Sequence, residues 1–436
     1  MKLSGWGRFP VADCRVIRAR GDDLPEGALI ARGAGRSYGD SALNPRATLD
    51  MRGMNRMLSF DPATGTLVAE AGVTLADIVT TFLPRGWFPR VTPGTQFVTL
   101  GGMIAADVHG KNHHAEGSFA SCVDWIDLID ADGRLRRCSA TEEAELFDWT
   151  LGGMGLTGVI LRAAIRLRAV ETAHVRQKTR AAASLGHALE VFEQETAATY
   201  SVAWIDCLSQ GDAAGRSLVM TGEHATAGDL PPRMRDRARQ LPRRAALPFP
   251  VDLPAFALNR HTIGAFNELY FRRGARPAAA DRLVPAQSYF YPLDAVANWN
   301  RMYGRRGFMQ FQCLLPPEAS AAGLAAILRA TGQAGLGSFL AVLKRMGPGR
   351  GGLSFPGPGY TLALDFPVSD RSLALMRDLD AIVIDHGGRF YLAKDARMSA
   401  TTLRRTDPRA DQFADWRRRS GAAARFRSAQ SERLEL

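Results

Sequence analysis

No run of about 18 or more apolar residues occurs in this 436-residue sequence, so no membrane-spanning helix is expected. The N-terminal stretch MKLSGWGRFPVADC lacks the apolar core of a secretory signal, and the expected location is the cytoplasm. Cysteine is sparse. Cys14, Cys122, Cys138, Cys207 and Cys313 are scattered, odd in number and free of any CxxC pair. That excludes a disulfide framework and a cysteine-built zinc site, and leaves buried free thiols. Acidic residues are outnumbered, 44 against 55 basic ones, for a net charge of +11. No basic stripe is interleaved with aromatics and no zinc finger is present, so nucleic acid is not an expected partner. A phosphate-bearing substrate or an anionic membrane surface accounts for the excess instead.

What is present is glycine in short runs between apolar segments. ALIARGAGRSYGD reads as a strand entering a glycine-rich turn, and TLVAEAG (66–72) as a strand. TLADIVTTFLPRG is a short helix stopped by Pro84 and Gly86. VDWIDLID (123–130), Ala131-Asp132-Gly133 and RLRRCS form a hairpin, because Asp-Gly supplies the positive φ of a tight turn. Ser139 and Glu142 are placed as a capping box for a helix reaching Thr150, and 158–170 as one long strand or a strand pair.

Beyond about 172 the texture changes. ASLGHALEVFEQETA is an amphipathic helix, and SVAWIDCL and RSLVMTGE are strands. Residues 224–275 are rich in proline and arginine, with Arg233, Arg235, Arg237, Arg239, Arg243 and Arg244 followed by LPFPVDLPAFAL. Weak periodicity marks this as a mobile basic segment, read as a loop, a lid or a membrane-surface contact. RGFMQFQCLL and SFLAVLKRMG flank the helix AAGLAAILRATGQAG; GYTLALDFPV and a helix from Asp370 to His386 follow. The fold class is α+β: a glycine-rich domain over 1–172, completed by 389–436, and a domain over 173–388 with an antiparallel sheet and flanking helices.

Five motifs carry candidate chemistry. The first is Arg32-Gly33-Ala34-Gly35-Arg36-Ser37-Tyr38-Gly39-Asp40, continuing as loop through Ser41. Such a turn exposes backbone N–H groups to an anion and lacks Cβ atoms where a phosphate comes close. Its spacing and the missing helix disfavour a Rossmann dinucleotide site. The second is Pro93-Gly94-Thr95 with Thr99-Leu100-Gly101-Gly102-Met103-Ile104-Ala105-Ala106-Asp107-Val108-His109-Gly110, small enough to lie against a planar group or another helix. The third, His109-Gly110-Lys111-Asn112-His113-His114, has no further ligand at metal spacing, so active-site polar residues are expected and no metal. The fourth is Gly152 to Gly158. The fifth is Arg389-Phe390-Tyr391-Leu392-Ala393-Lys394-Asp395.

In this order the motifs resemble the FAD-binding superfamily of vanillyl-alcohol oxidase and p-cresol methylhydroxylase. ARGAGRSYGD, VHGKNHHAEGSF, GGMGLTGVILRA, WNRMYGRRGFMQFQ, GYTLALDFP and GGRFYLAKDARM resemble, more narrowly, the decaprenylphosphoryl-β-D-ribose 2′-oxidase family. The resemblance implies a two-subdomain FAD-binding domain plus a substrate domain. It implies oxidation of the ribose 2′-hydroxyl of a polyprenyl phosphosugar, in arabinose biosynthesis for the cell envelope. A partner short-chain reductase would complete the epimerisation, and a lipid-linked substrate implies peripheral contact at the inner membrane. FAD is implied beside Arg32 to Ser41, Gly94, Thr99 to Gly102, Ala106 to His109, Val159 and Tyr391. Tyr38, His109, Lys111, Gln310, Gln312, Lys344 and Lys394 are implied beside the substrate, with Lys394 or His109 as the base and Tyr38 next to them. Phe290 and Ala363 stand where mycobacterial members carry Tyr and Cys, also on the substrate side. Gln310 and Gln312 are two apart on a strand and share a face. Many superfamily members attach flavin to a histidine at the place of Arg36, so this chain is expected to hold FAD non-covalently. The competing expectations are an alditol or aldonolactone oxidase using dioxygen, and a non-enzymatic nucleotide-binding module.

Overall fold

The computed structural model describes residues 1–241, 247–254, 256–277 and 281–436. Three parallel strands, Val16–Arg18, Thr48–Asp50 and Ile30–Arg32, bring the chain to the glycine loop at 33–40. A second, antiparallel sheet is built around Val159–Ala169, one 11-residue strand. Its neighbours are Val123–Ile129, hairpinned to Leu135–Ser139, and Thr66–Glu70, paired with Met57–Asp61. Trp87–Pro89 pairs with the far end of the long strand.

An eight-stranded antiparallel sheet forms the other half. Its order is Asp281–Pro285, His174–Ala182, Ser217–His224, Tyr200–Ile205, Val342–Met346, Gly359–Pro367, Phe308–Leu315, Arg389–Phe390. Strand alternation decides which face is greasy. Met309, Phe311, Cys313 and Leu315 join Leu362, Leu364 and Phe366 in one apolar cluster with Leu343. The helices Leu185–Gln194, Pro317–Ala334 and Asp370–Asp385 cover that face with Leu185, Ala188, Val191, Leu324, Ile327, Met376 and Leu379. The intervening residues point the other way. They build the site described below.

The C-terminal helices return to the start of the chain. Arg433 bridges Asp40 at 2.7 Å and Asp395 at 2.8 Å. Asn44 Nδ2 donates to the Arg427 carbonyl at 2.6 Å. Leu403, Phe413, Trp416 and Phe426 pack in the same core as Leu29, Ile30, Val159 and Ile165. All five cysteines are buried and free.

Two local expectations need correction. Ser139 does accept from the Glu142 amide at 3.0 Å, but it closes a turn. Glu143 then takes a left-handed φ of 49° and the helix begins only at Ala144. The segment 224–275 is not loop throughout: Arg260–Gly274 is a 15-residue helix, capped by Asn259 and Thr262 in a reciprocal box. Arg243 and Arg244 lie outside the described residues.

Candidate active site

A cavity of about 500 Å³ opens between the glycine loops and the polar face of the large sheet. Its floor follows from strand register. Gln310 stands opposite Asp365 and Gln312 opposite Ala363; on the other side Val342 faces Ala363 and Lys344 faces Thr361. All seven line the cavity. Directly paired and diagonal side chains on one sheet face lie within bonding reach. Gln310 Nε2 donates to Asp365 Oδ1 at 2.6 Å, and Gln312 Nε2 donates to Thr361 Oγ1 at 3.2 Å.

His109 descends onto this floor from the glycine-loop side. Its Nε2 lies 3.1 Å from Gln312 Nε2 and its Nδ1 lies 2.9 Å from Lys344 Nζ. Burial, with Lys344 the nearest cation, holds the ring well below the usual histidine range, so it is neutral. A neutral imidazole has one N–H and one lone pair. Both are spent on Gln312 and Lys344. Burial also pulls the Lys344 amine down to about 7. Tyr391 donates to the Ala106 carbonyl at 2.9 Å and stacks on Phe355 at 4.7 Å, fixing that end of the cavity.

Lys394 reaches the floor from the C-terminal motif. Its Nζ sits 3.8 Å from the centre of the Tyr38 ring, and no protein hydrogen bond engages it among the described residues. Burial lowers its affinity for a proton, and Asp365 partly restores it. Asp365 is fully buried, and its Oδ2 has no partner. Burial pushes its carboxyl up. Burial likewise keeps Tyr38 protonated, its pKa well above the usual phenol range.

The glycine loops form the opposite wall. Gly33 to Tyr38, Ser41, Gly94, Thr99, Gly101, Gly102, Ala106, Val108, Met154 and Gly155 line it. At Gly33 a Cβ would stand 2.1 Å from Thr99 Oγ1, and Gly35 needs its φ of 64°. The two loops therefore interlock as a surface of bare backbone, which fits a cofactor with an anionic centre.

Several expected contacts lie behind the wall. Arg32 donates to the carbonyls of Ser4 at 2.7 Å and Ala42 at 3.4 Å, bracing the loop from beneath. Gly39 packs on the Asp395 backbone, and Asp40 is tied to Arg433. Leu100 and Val159 are core, while Asp107 accepts from Ser354 and from the Ala120 amide at 2.9 Å. Lys111 and Phe290 also miss the cavity. Lys111 donates to the Tyr289 carbonyl and lies 4.1 Å from that ring's centre. Phe290 fills an aromatic cluster with Phe88, Tyr200 and His224. His113 accepts from the Gly347 amide and His114 bonds the Ala198 carbonyl, so each is used in packing one loop on another.

Sequence reasoning missed Asp365, Thr361, Val342, Trp6, Phe97 and Asp294, which all line the cavity. The first was findable. Asp365 lies two residues past Ala363 on one strand, hence on its face.

Residues 23–139 match the family described as an FAD binding domain. Over its whole length the chain is 36% identical to decaprenylphosphoryl-β-D-ribose oxidase of Mycolicibacterium smegmatis, covering 97% of that protein. An uncharacterised Streptomyces coelicolor protein is 33% identical over 84% of this chain and all of its own length. Bovine L-gulonolactone oxidase is 31% identical over 34% of this chain and 33% of its own. The backbone cradle and the full-length likeness agree on FAD. The chain is an FAD-dependent oxidoreductase and belongs to the decaprenylphosphoryl-β-D-ribose oxidase family.

Proposed function

We propose that this protein oxidises the 2′-hydroxyl of a polyprenyl-phosphoryl ribose to the 2′-keto sugar, with a short-chain reductase then completing epimerisation to the arabinose form. The observation that carries this reading is the polar sheet floor, where Lys394 Nζ has no protein hydrogen bond among the described residues and lies in the field of Asp365, whose Oδ2 is unpartnered. Bound FAD supplies a two-electron acceptor for hydride from the carbinol carbon. Lys394, whose proton affinity burial lowers, takes the hydroxyl proton in its neutral form, and Asp365 steadies the ammonium so formed. Of the two candidate bases, His109 is the weaker, because both ring nitrogens are occupied. It holds Lys344 and Gln312 in place. Gln310 and Gln312 present amides to sugar hydroxyls, and Tyr38 remains a donor. Residues 1–172 with 389–436 form the cofactor half and 173–388 the substrate half. FAD is held without a covalent link, since Arg36 offers no nucleophile where related proteins have histidine.

A lipid-linked substrate also calls for a membrane contact. Leu247, Val251, Phe256 and Leu269 are 55–78% exposed, and Arg260, Arg272 and Arg273 are on the helix beside them. Such a surface suits an anionic interface, where each basic residue contributes about 1 kcal/mol. Among the described residues no helix is long and apolar enough to cross a membrane. The oxidation itself is tested by product analysis. Turnover of farnesyl-phosphoryl ribose followed by borodeuteride trapping should give ribo and arabino epimers, each with one deuterium at C2′. Deuterium elsewhere on the sugar, or none, contradicts the reading.

A further inference from the structure

The glycine loop carries one side chain that its backbone role leaves unexplained. Arg36 lines the cavity with its guanidinium 4.1 Å from the centre of the Trp6 ring and 5.4 Å from that of Phe97. A guanidinium has five N–H donors. Among the described residues none of those on Arg36 is engaged by a protein acceptor, and its Nε is a buried atom without a partner. The carboxylate whose charge acts on it is that of Asp294, which is held by the Gln96 amide at 2.8 Å and makes no ion pair with Arg36. The group is clamped between aromatic faces with its donors unspent.

Leaving a charged donor unsatisfied in a partly desolvated wall is costly unless a ligand fills it. We propose that Arg36 is the anchor for the phosphate of the phosphoryl-linked sugar. This rests on the substrate reading given above. Two anions are candidates for the guanidinium, the FAD diphosphate and the substrate phosphate, and its surroundings favour the second. The bare backbone that suits the diphosphate is at Gly33 to Gly35 and the Thr99 turn. The Arg36 side chain instead meets Trp6, which packs on Trp299 at 5.8 Å, and lies in the field of Asp294. Trp299 and Asp294 belong to two short 3-10 helices, Trp299–Tyr303 and Pro292–Ala295, outside the residues that match the FAD-binding family. Stacking on Trp6 and Phe97 orients the guanidinium plane and leaves its edge free for bidentate bonding to phosphate oxygens. An apolar rim of Leu293, Val296 and Leu340 adjoins it, as the first carbons of a lipid require.

The test is calorimetric titration of the FAD-loaded protein with octyl phosphate and with octanol. Wild type should prefer octyl phosphate. R36M should bind it about ten-fold or more weaker, with octanol binding unchanged and one FAD per chain retained. R36Q serves the same comparison if R36M does not fold. Equal octyl phosphate affinity in wild type and variant overturns the proposal, as does wild type with no preference for the phosphate. A variant that sheds FAD while holding octyl phosphate assigns the guanidinium to the cofactor and also overturns it. Failure of the substrate reading shows separately, as absence of turnover with farnesyl-phosphoryl ribose by a wild type that still binds octyl phosphate.

Discussion

Gln310 Nε2 and Asp365 Oδ1 are 2.6 Å apart across adjacent strands, and this one bond leaves the second carboxylate oxygen of Asp365 buried and unpartnered, in the field of Lys394. The pair sets the proton affinity of the amine. Burial lowers it, and the carboxylate raises it.

The first prediction concerns Lys394 itself. A positioned base contributes about 100- to 10,000-fold to rate. K394M should lose that much in kcat while retaining FAD, measured by anaerobic flavin reduction. Full turnover would remove Lys394 from the scheme.

The pH profile of D365N gives a second. As the proposed base, Lys394 acts only when neutral, so activity should rise with pH through its lowered pKa. Asp365 stabilises the protonated amine, so its removal lowers that pKa further. D365N should therefore shift the acidic limb of kcat/KM to lower pH. A purely structural aspartate would lower activity without moving the limb.

Lys344 provides a third through stability. Its folded pKa is about 7 against an ordinary value of 10.5. Between these values the unfolded chain binds a proton that the folded protein does not, so wild-type stability gains with rising pH. K344M lacks this dependence. Its melting temperature should exceed wild type by most near pH 7, and the gap should narrow toward pH 10. A constant gap contradicts the buried, neutral amine.

The strap at Arg433 gives a fourth. Asp40 and Asp395 are both nearly buried and share this guanidinium. R433M leaves two buried carboxylates and should cost roughly 3–5 kcal/mol in urea denaturation. A loss below about 1 kcal/mol would show the bridge to be solvent-screened.

How much of this was legible depended on alternation and on chain direction. Gln310 and Gln312 were placed on one face from their spacing, and the structure has both on the cavity floor. Asp365 obeys the same rule, two residues past Ala363 in GYTLALDFP, but an isolated aspartate in an apolar strand carries no motif of its own. Lys111 and Phe290 were carried by resemblance, and their packing against Tyr289 and in the Phe88 cluster depends on partners distant in sequence. The helix Arg260–Gly274 was missed because Phe266, Leu269 and Tyr270 are exposed, which blurs an amphipathic pattern; Asn259 with Thr262 was the available signal. The glycine cradle was readable from sequence, since Gly33 and Gly35 have backbone reasons that no other residue satisfies.

The most direct measurement is the visible spectrum of the purified protein before and after anaerobic addition of farnesyl-phosphoryl ribose. The flavin band should be present, should pass to the supernatant on acid precipitation, and should bleach with the phosphoryl sugar and not with free ribitol. A band that only free polyols bleach, or a protein that cannot be loaded with flavin, would contradict the account.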